Sequence, residues 1–206
     1  MAEWLGRGLQ SLVRRFESAR HLLLKKGLYH YRCRPFFTVE DDARAMILPL
    51  TLRPATPADD AFLLDLYAQN RQAELRAWGL DESMLASLLQ MQFTAQQTTY
   101  ATQYPDADHD LLLLDDEPVG RLYIHRAEDH LLLVDIALLP EVQGQGLGTA
   151  LLCTLLEEAA EKGVPVRLQV VMTNLARHLY QRLGFTALGS DGVYEQMEWH
   201  PPGIAG

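Results

Sequence analysis

Three glycines on alternate positions, Gly144, Gly146 and Gly148, follow an apolar run that ends at Pro140, and a helical pattern begins among them without a capping side chain. A strand that turns through glycines into a helix leaves several backbone N–H groups unpaired at one point, and the helix dipole adds positive charge there. That suits a phosphate or pyrophosphate, and the absent side chains let it approach the backbone closely. Asp135, near the end of the run that leads into the turn, adds a carboxylate among apolar neighbours. Such a group is a candidate proton acceptor with a raised pKa, unless alternation turns it away or it pairs with Arg121 on the neighbouring strand. His125 and His178 are rival bases, though a lone histidine on a strand or helix is more often structural, and a water chain can also carry the proton.

The elements that must hold these residues follow from their periods. Leu50 to Thr56 reads as a short strand and turn, and Thr56-Pro57 with Asp59 and Asp60 opens a helix through Leu63, Leu66, Tyr67 and Asn70. A second helix starts near Asp81 and runs through Leu85, Leu88 and Met91; its pattern fades in the Gln/Thr-rich stretch before Tyr104. From Asp110 the period shortens, and 111–114, 118–124 and 130–139 read as strands joined by hairpin-sized gaps. The helix after the glycines spans about 146–162, with Leu147, Ala150, Leu151, Leu155 and Ala159 on one face, and Gly163 and Pro165 stop it. Val166 to Val171 is a buried-type strand reached by that crossover, so it is expected to pair in parallel. Asn174 caps a short helix through Leu183, and 185–188 and 193–199 close the sheet around a glycine-containing turn. The fold class is α/β with a mixed sheet of α+β character.

The 206 residues suffice for one domain and an appendage. Residues 1–47 form a leader unlike the rest, in which Leu5, Leu9, Leu12, Phe16 and Leu23 recur at helical spacing. Up to Pro49 there are nine Lys/Arg against five Asp/Glu, and from Leu50 onward nine against twenty-two. The basic amphipathic helix fits a membrane surface, a partner, an import presequence, packing on the body or on a second copy, or a start of translation at Met46. Residues 48–200 form the main domain and 201–206 a short tail. An acidic body argues against a nucleic-acid partner and favours cationic ligands such as amines, or simply keeps the protein soluble. No apolar run approaches the roughly 20 residues of a membrane span. Cys33 and Cys153 imply neither a disulfide framework nor a metal site, which fits a cytoplasmic location.

Gln143-Gly144-Gln145-Gly146-Leu147-Gly148 resembles the Q/R-x-x-G-x-G/A loop of the GCN5-related N-acetyltransferase (GNAT) family, and Asn174 to Phe185 resembles its second signature, N-x-A-x-x-L-Y-x-x-x-G-F. A Rossmann turn spaces its glycines differently, and a Walker loop needs Lys-Ser/Thr where Thr149-Ala150 stands. The resemblance implies the acyl-CoA N-acyltransferase fold over Leu50 to about Trp199, with the leader outside it. It implies acetyl-CoA as co-substrate and no metal, with the pyrophosphate on the backbone from Gln143 through Gly144, Gln145, Gly146, Leu147 and Gly148 to Thr149. The pantetheine arm would lie along the strand edge at Ile136, Ala137 and Leu138. Tyr180 takes the family position of the acid that protonates the departing thiolate, Asn174 is a cap with an added cofactor contact, and Asp135 is the candidate base. The acceptor, a small-molecule or peptide amine, would enter beside Tyr67, Arg71, Glu74, Trp78 and the segment from Tyr100 to Asp110. The alternative is a non-catalytic CoA-binding module acting through a partner or membrane surface. A homodimer is left open.

Overall fold

The computed structural model describes residues 50–76, 79 and 81–203. The leader helix, Cys33, Met46 and Trp78 lie outside the described residues, as do the side chains of 72–74 and 76.

Strand β1 (Leu50–Pro54) leads into a 3-10 turn, Pro57–Asp59, where the Asp59 carboxylate accepts from the N–H and hydroxyl of Thr56 at 2.8 and 2.9 Å. Two helices follow, α1 (Asp60–Arg76) and α2 (Glu82–Gln103), the second capped by Asp81, whose carboxylate accepts from the Met84 N–H at 2.9 Å. Helix α2 continues through the Gln/Thr stretch where the apolar period fades. Thr94, Thr98, Thr99 and Thr102 each donate a hydroxyl to the carbonyl four residues back, so their polar groups are satisfied without breaking the helix.

Strands β2 (Asp108–Leu114), β3 (Glu117–Arg126) and β4 (Leu131–Leu138) form the expected antiparallel meander. Asp115 and Asp116 take positive φ values of 52° and 67°, which closes the first hairpin with a two-residue turn whose twist matches the strands. Helix α3 (Leu147–Lys162) crosses to β5 (Val166–Val171), and α4 (Ala176–Arg182) leads to β6 (Thr186–Ser190) and β7 (Tyr194–Trp199). The seven strands are ordered β1-β2-β3-β4-β5-β7-β6, and β4 and β5 are the parallel pair.

Each face of the sheet buries its own cluster. Leu147, Leu151, Leu152, Leu155 and Leu156 of α3 pack on Leu122, Ile124, Leu133, Leu168 and Met197, while Leu63, Tyr67 and Leu75 of α1 with Leu89 and Phe93 of α2 cover Leu111. Cys153 is buried within α3, as a small apolar residue would be. Among the described residues no helix is long and apolar enough to cross a membrane.

Candidate active site

Two irregularities in β4 create an opening in the sheet. Pairing with β5 stops after Leu131↔Val166, Leu132↔Arg167 and Leu133↔Leu168, whereas β4 runs on to Leu138 beside β3, and β5 runs on to Val171 beside β7. The two parallel strands therefore part from Val134 onward. At the same place β3 opposes Tyr123 to Asp135 and Ile124 to Leu133, so Val134 is a bulge. The extra residue reverses the alternation: Leu133, Ile136 and Leu138 pack towards α3, and Asp135 stands opposite Tyr123 on the face covered by α2.

On that face Arg121, 3% exposed, donates from Nε to Asp135 Oδ2 at 2.6 Å. Its Nη2 lies 2.6 Å from the same oxygen and also donates to Gln96 Oε1 on α2 at 2.7 Å. The Tyr100 ring lies 6.0 Å from this guanidinium and 5.3 Å from the Tyr123 ring, and the His109 ring lies 4.8 Å from Tyr123. Of the alternatives left open for Asp135, the pairing with Arg121 is the one observed.

Tyr180 approaches the opening from α4, buried and edge-on to Phe185 with ring centroids 5.7 Å apart. Burial first, and then the negative charge of Asp135, push its pKa up to about 12. Burial and the same carboxylate raise Tyr100 well above the ordinary tyrosine range, with a smaller contribution from Tyr194 of β7. Asp135, where the strands part, thus acts on Tyr100 of α2 and on Tyr180 of α4. His125 packs instead on Tyr104, at 5.7 Å between ring centroids, and His178 stands two residues from Tyr180, on a different side of α4.

The far end of the opening is the glycine turn. Pro140–Val142 forms a 3-10 turn, Gly144 and Gly146 adopt φ of 72° and 86°, and α3 starts at Leu147 with no side-chain cap. The first inward-bonded amide is that of Ala150, to Gly146 O at 2.9 Å, and no partner is found among the described residues for the N–H groups of 144–149. Gln143 differs from expectation. Its N–H closes the preceding turn on Pro140 O at 3.3 Å, so the unpaired set begins at Gly144. Its side chain donates to Leu138 O and to Asn70 Oδ1, both at 2.9 Å, and Asn70 in turn donates to Leu138 O at 3.1 Å. These two amides tie α1 and the loop to the end of β4. A side chain at Gly148 would touch Leu179 of α4 and Leu138 of β4, so the two sequence motifs meet there. Asn174 Oδ1 accepts from the Ala176 N–H at 2.9 Å, a turn contact that leads into α4, whose N-cap position is Leu175.

Ile136, Ala137 and Leu138 therefore lie on the parted stretch of β4, and 144–149 lie at its end. Of the expected acceptor side, Tyr67 donates to Gln92 Oε1 at 3.3 Å and accepts from Arg71 Nη1 at 3.3 Å, with its ring against Phe93. The side chain of Glu74 is not among those described. Sequence reasoning did not single out Gln96, Tyr194 or Asn70 as members of the site. A signal existed only for Arg121, a charged residue inside an apolar strand.

Comparison with known proteins bears on the same residues. The family model described as the acetyltransferase (GNAT) family matches residues 73–185, which include both glycine turn and Tyr180. A 75-residue stretch is 37% identical to the ribosomal protein bS18 alanine N-acetyltransferase of Haemophilus influenzae, covering 36% of this chain. The chain spans about half the length of that curated relative, 51%. Among solved structures, PaiA N-acetyltransferase of Thermoplasma acidophilum in complex with coenzyme A superposes with a TM-score of 0.57 at 19% identity, over 74% of this chain and 99% of that one. An acetyltransferase of Thermus thermophilus does so with a TM-score of 0.53 at 25% identity, over 74% and 97%. The split sheet, the uncapped helix beyond it and the family match over more than half the sequence agree, and the chain belongs to the GNAT acetyltransferase family.

Proposed function

We propose that the protein is an acetyl-CoA-dependent N-acetyltransferase that moves an acetyl group to a primary amine by direct attack within a ternary complex. The observation that carries this reading is the opening between β4 and β5, with Tyr180 on one side, Asp135 on the other and the unpaired amides of 144–149 at its end. The CoA pyrophosphate sits on those amides, and the pantetheine arm takes the place along β4 that β5 vacates, beside Ile136, Ala137 and Leu138. Amides of that strand polarise the thioester carbonyl.

The neutral amine nitrogen bonds to the thioester carbon, the tetrahedral species collapses with cleavage of the C–S bond, and the nitrogen gives up its extra proton to water. Tyr180 hydrogen-bonds the departing thiolate. Asp135 draws the acceptor's ammonium into the opening through its charge, and the ammonium gives one proton to water before its nitrogen attacks. Oδ2 of this carboxylate accepts from Arg121 Nε and is ion-paired with the same guanidinium, and this fixed counter-charge favours the electrostatic role over that of base.

The acceptor class we propose is a polypeptide amine. Four of the eight exposed large hydrophobic residues among those described, Val171, Met172, Val193 and Tyr194, lie where β5 ends beside β7, on the β5 side of the opening. Val171 pairs with Tyr194 and the Met172 N–H donates to Val193 O at 2.9 Å, which joins them in one patch. The Haemophilus relative, by its name, acetylates an alanine of a ribosomal protein. Residues 48–200 carry the activity.

The test is thiol release from acetyl-CoA by the full chain against alanine-initiated peptides, lysine peptides and small diamines. Amine-dependent thiol is the expected result. Binding of CoA with no amine-dependent thiol from any acceptor would replace the enzyme by a CoA-binding module.

A further inference from the structure

A cavity of about 630 Å³ lies behind the site, between the start of α1 and the middle of α2, over the end of β1. Leu63, Leu64, Phe93 and Ala55 give it an apolar floor, and Asp60, Gln97 and His109 are among its polar lining residues. Its size is that of a small-molecule site. The Nε2 atoms of Gln97 and of His109 are both buried with no hydrogen-bond partner among the described residues. Two polar groups of one lining left without a protein partner are costly to bury and call for one. The terminal torsion of a glutamine amide is broad, so a small turn of Gln97 presents its N–H to the cavity.

The lining also specifies a charge. Asp60 is its one acidic side chain, and burial and then the Arg121 guanidinium lower the pKa of His109, which favours the neutral imidazole. Thr94 and Thr98 already donate their hydroxyl protons to Gln90 O at 2.9 Å and Thr94 O at 2.8 Å, so they offer acceptor oxygens only. A carboxylate and threonine oxygens require a cationic donor, Gln97 requires one acceptor, and the floor requires an apolar body.

We infer that this cavity is a second binding site, which takes a small aliphatic amine carrying one carbonyl or hydroxyl oxygen. The His109 and Tyr123 rings, 4.8 Å apart, separate it from Arg121 and Asp135, so it is distinct from the acetyl-transfer opening. The inference does not rest on the acetyltransferase reading.

The probe is Nα,Nα-dimethyl-L-leucinamide, whose tertiary amine is cationic at neutral pH and cannot keep an acetyl group. Calorimetric titration of the full chain without acetyl-CoA should show saturable binding. Gln97→Leu and Asp60→Asn should each weaken it about tenfold, the loss expected for one hydrogen bond to a charged or desolvated partner. Tyr180→Phe should leave it unchanged. Thermal unfolding provides a control, because Gln97→Leu removes an unmatched polar atom and should not lower the midpoint, while the probe should raise the midpoint of the wild type more than that of the variant. The absence of saturable binding, equal affinity in Gln97→Leu, or a loss confined to Tyr194→Ala would overturn the assignment; the last would put the probe in the opening instead.

Discussion

Replacing Tyr180 by phenylalanine removes one oxygen and keeps the ring that packs edge-on to Phe185 at 5.7 Å, so its effect reports the hydroxyl alone. Burial and Asp135 hold this phenol at about 12, whereas a free thiol titrates near 8.5. Full transfer of the proton to the departing thiolate is then uphill by about 3.5 units, or about 5 kcal/mol. In the proposed mechanism Tyr180 therefore acts by a charge-assisted hydrogen bond to the sulfur, worth about 1.5–3 kcal/mol, rather than by surrendering its proton outright. Tyr180→Phe should lower kcat about 10–100-fold and leave the KM for acetyl-CoA within about twofold. The assay is initial-rate thiol release with the best acceptor at saturating concentrations. Since the phenol stays protonated up to about 12, the wild-type rate should show no alkaline limb from this group between about pH 8 and 10. The folded-state value lies above the unfolded value of about 10, so the associated stabilisation is complete below pH 10 and is lost as pH rises towards 12, by about 3 kcal/mol. A kcat within twofold of wild type would refute the reasoning. So would an alkaline limb near pH 9 that disappears in the variant, because it would place the phenol's titration far below its environment.

Asp135→Asn leaves the buried guanidinium of Arg121 without its counter-charge; with 22% of the Asp135 side chain exposed, the expected loss is about 2–3 kcal/mol in urea unfolding, with a raised acceptor KM. An unchanged unfolding midpoint would mean that the pair contributes nothing. Gly146→Val puts a β-branched residue at φ 86° in the unpaired-amide turn, so CoA affinity measured by fluorescence displacement should fall at least about tenfold; retained affinity would move the phosphate site elsewhere. Gly120→Ala drives a methyl into the carbonyl of Ala137 across β3 and β4, where neither backbone can yield alone, and should cost about 3 kcal/mol of stability by chemical denaturation, against no change if the strands separate freely.

The glycine turn, the helix behind it and the Asn174–Phe185 segment were legible because each is set by local rules: positive φ needs glycine, a crossover needs a parallel neighbour, and a cap needs a short polar side chain. Those rules also gave the elements their order, except that α2 outran its apolar period because threonine hydroxyls found carbonyls one turn back. What local pattern does not contain is where two strands stop pairing. The bulge at Val134 changes the face on which Asp135 lies, and it arises from how β3, β4 and β5 share hydrogen bonds. A one-residue shift reverses every later side chain, so the same sequence period is compatible with Asp135 on either face. Tertiary packing chose the face with Arg121, and with it brought in Gln96, Tyr100 and Tyr194 from elements far apart in the chain. The sequence alone thus determined the glycine turn that opens an uncapped helix and the helix that carries Tyr180. Only the tertiary structure decided which charges meet the phenol, because long-range contacts leave no periodic trace in either partner.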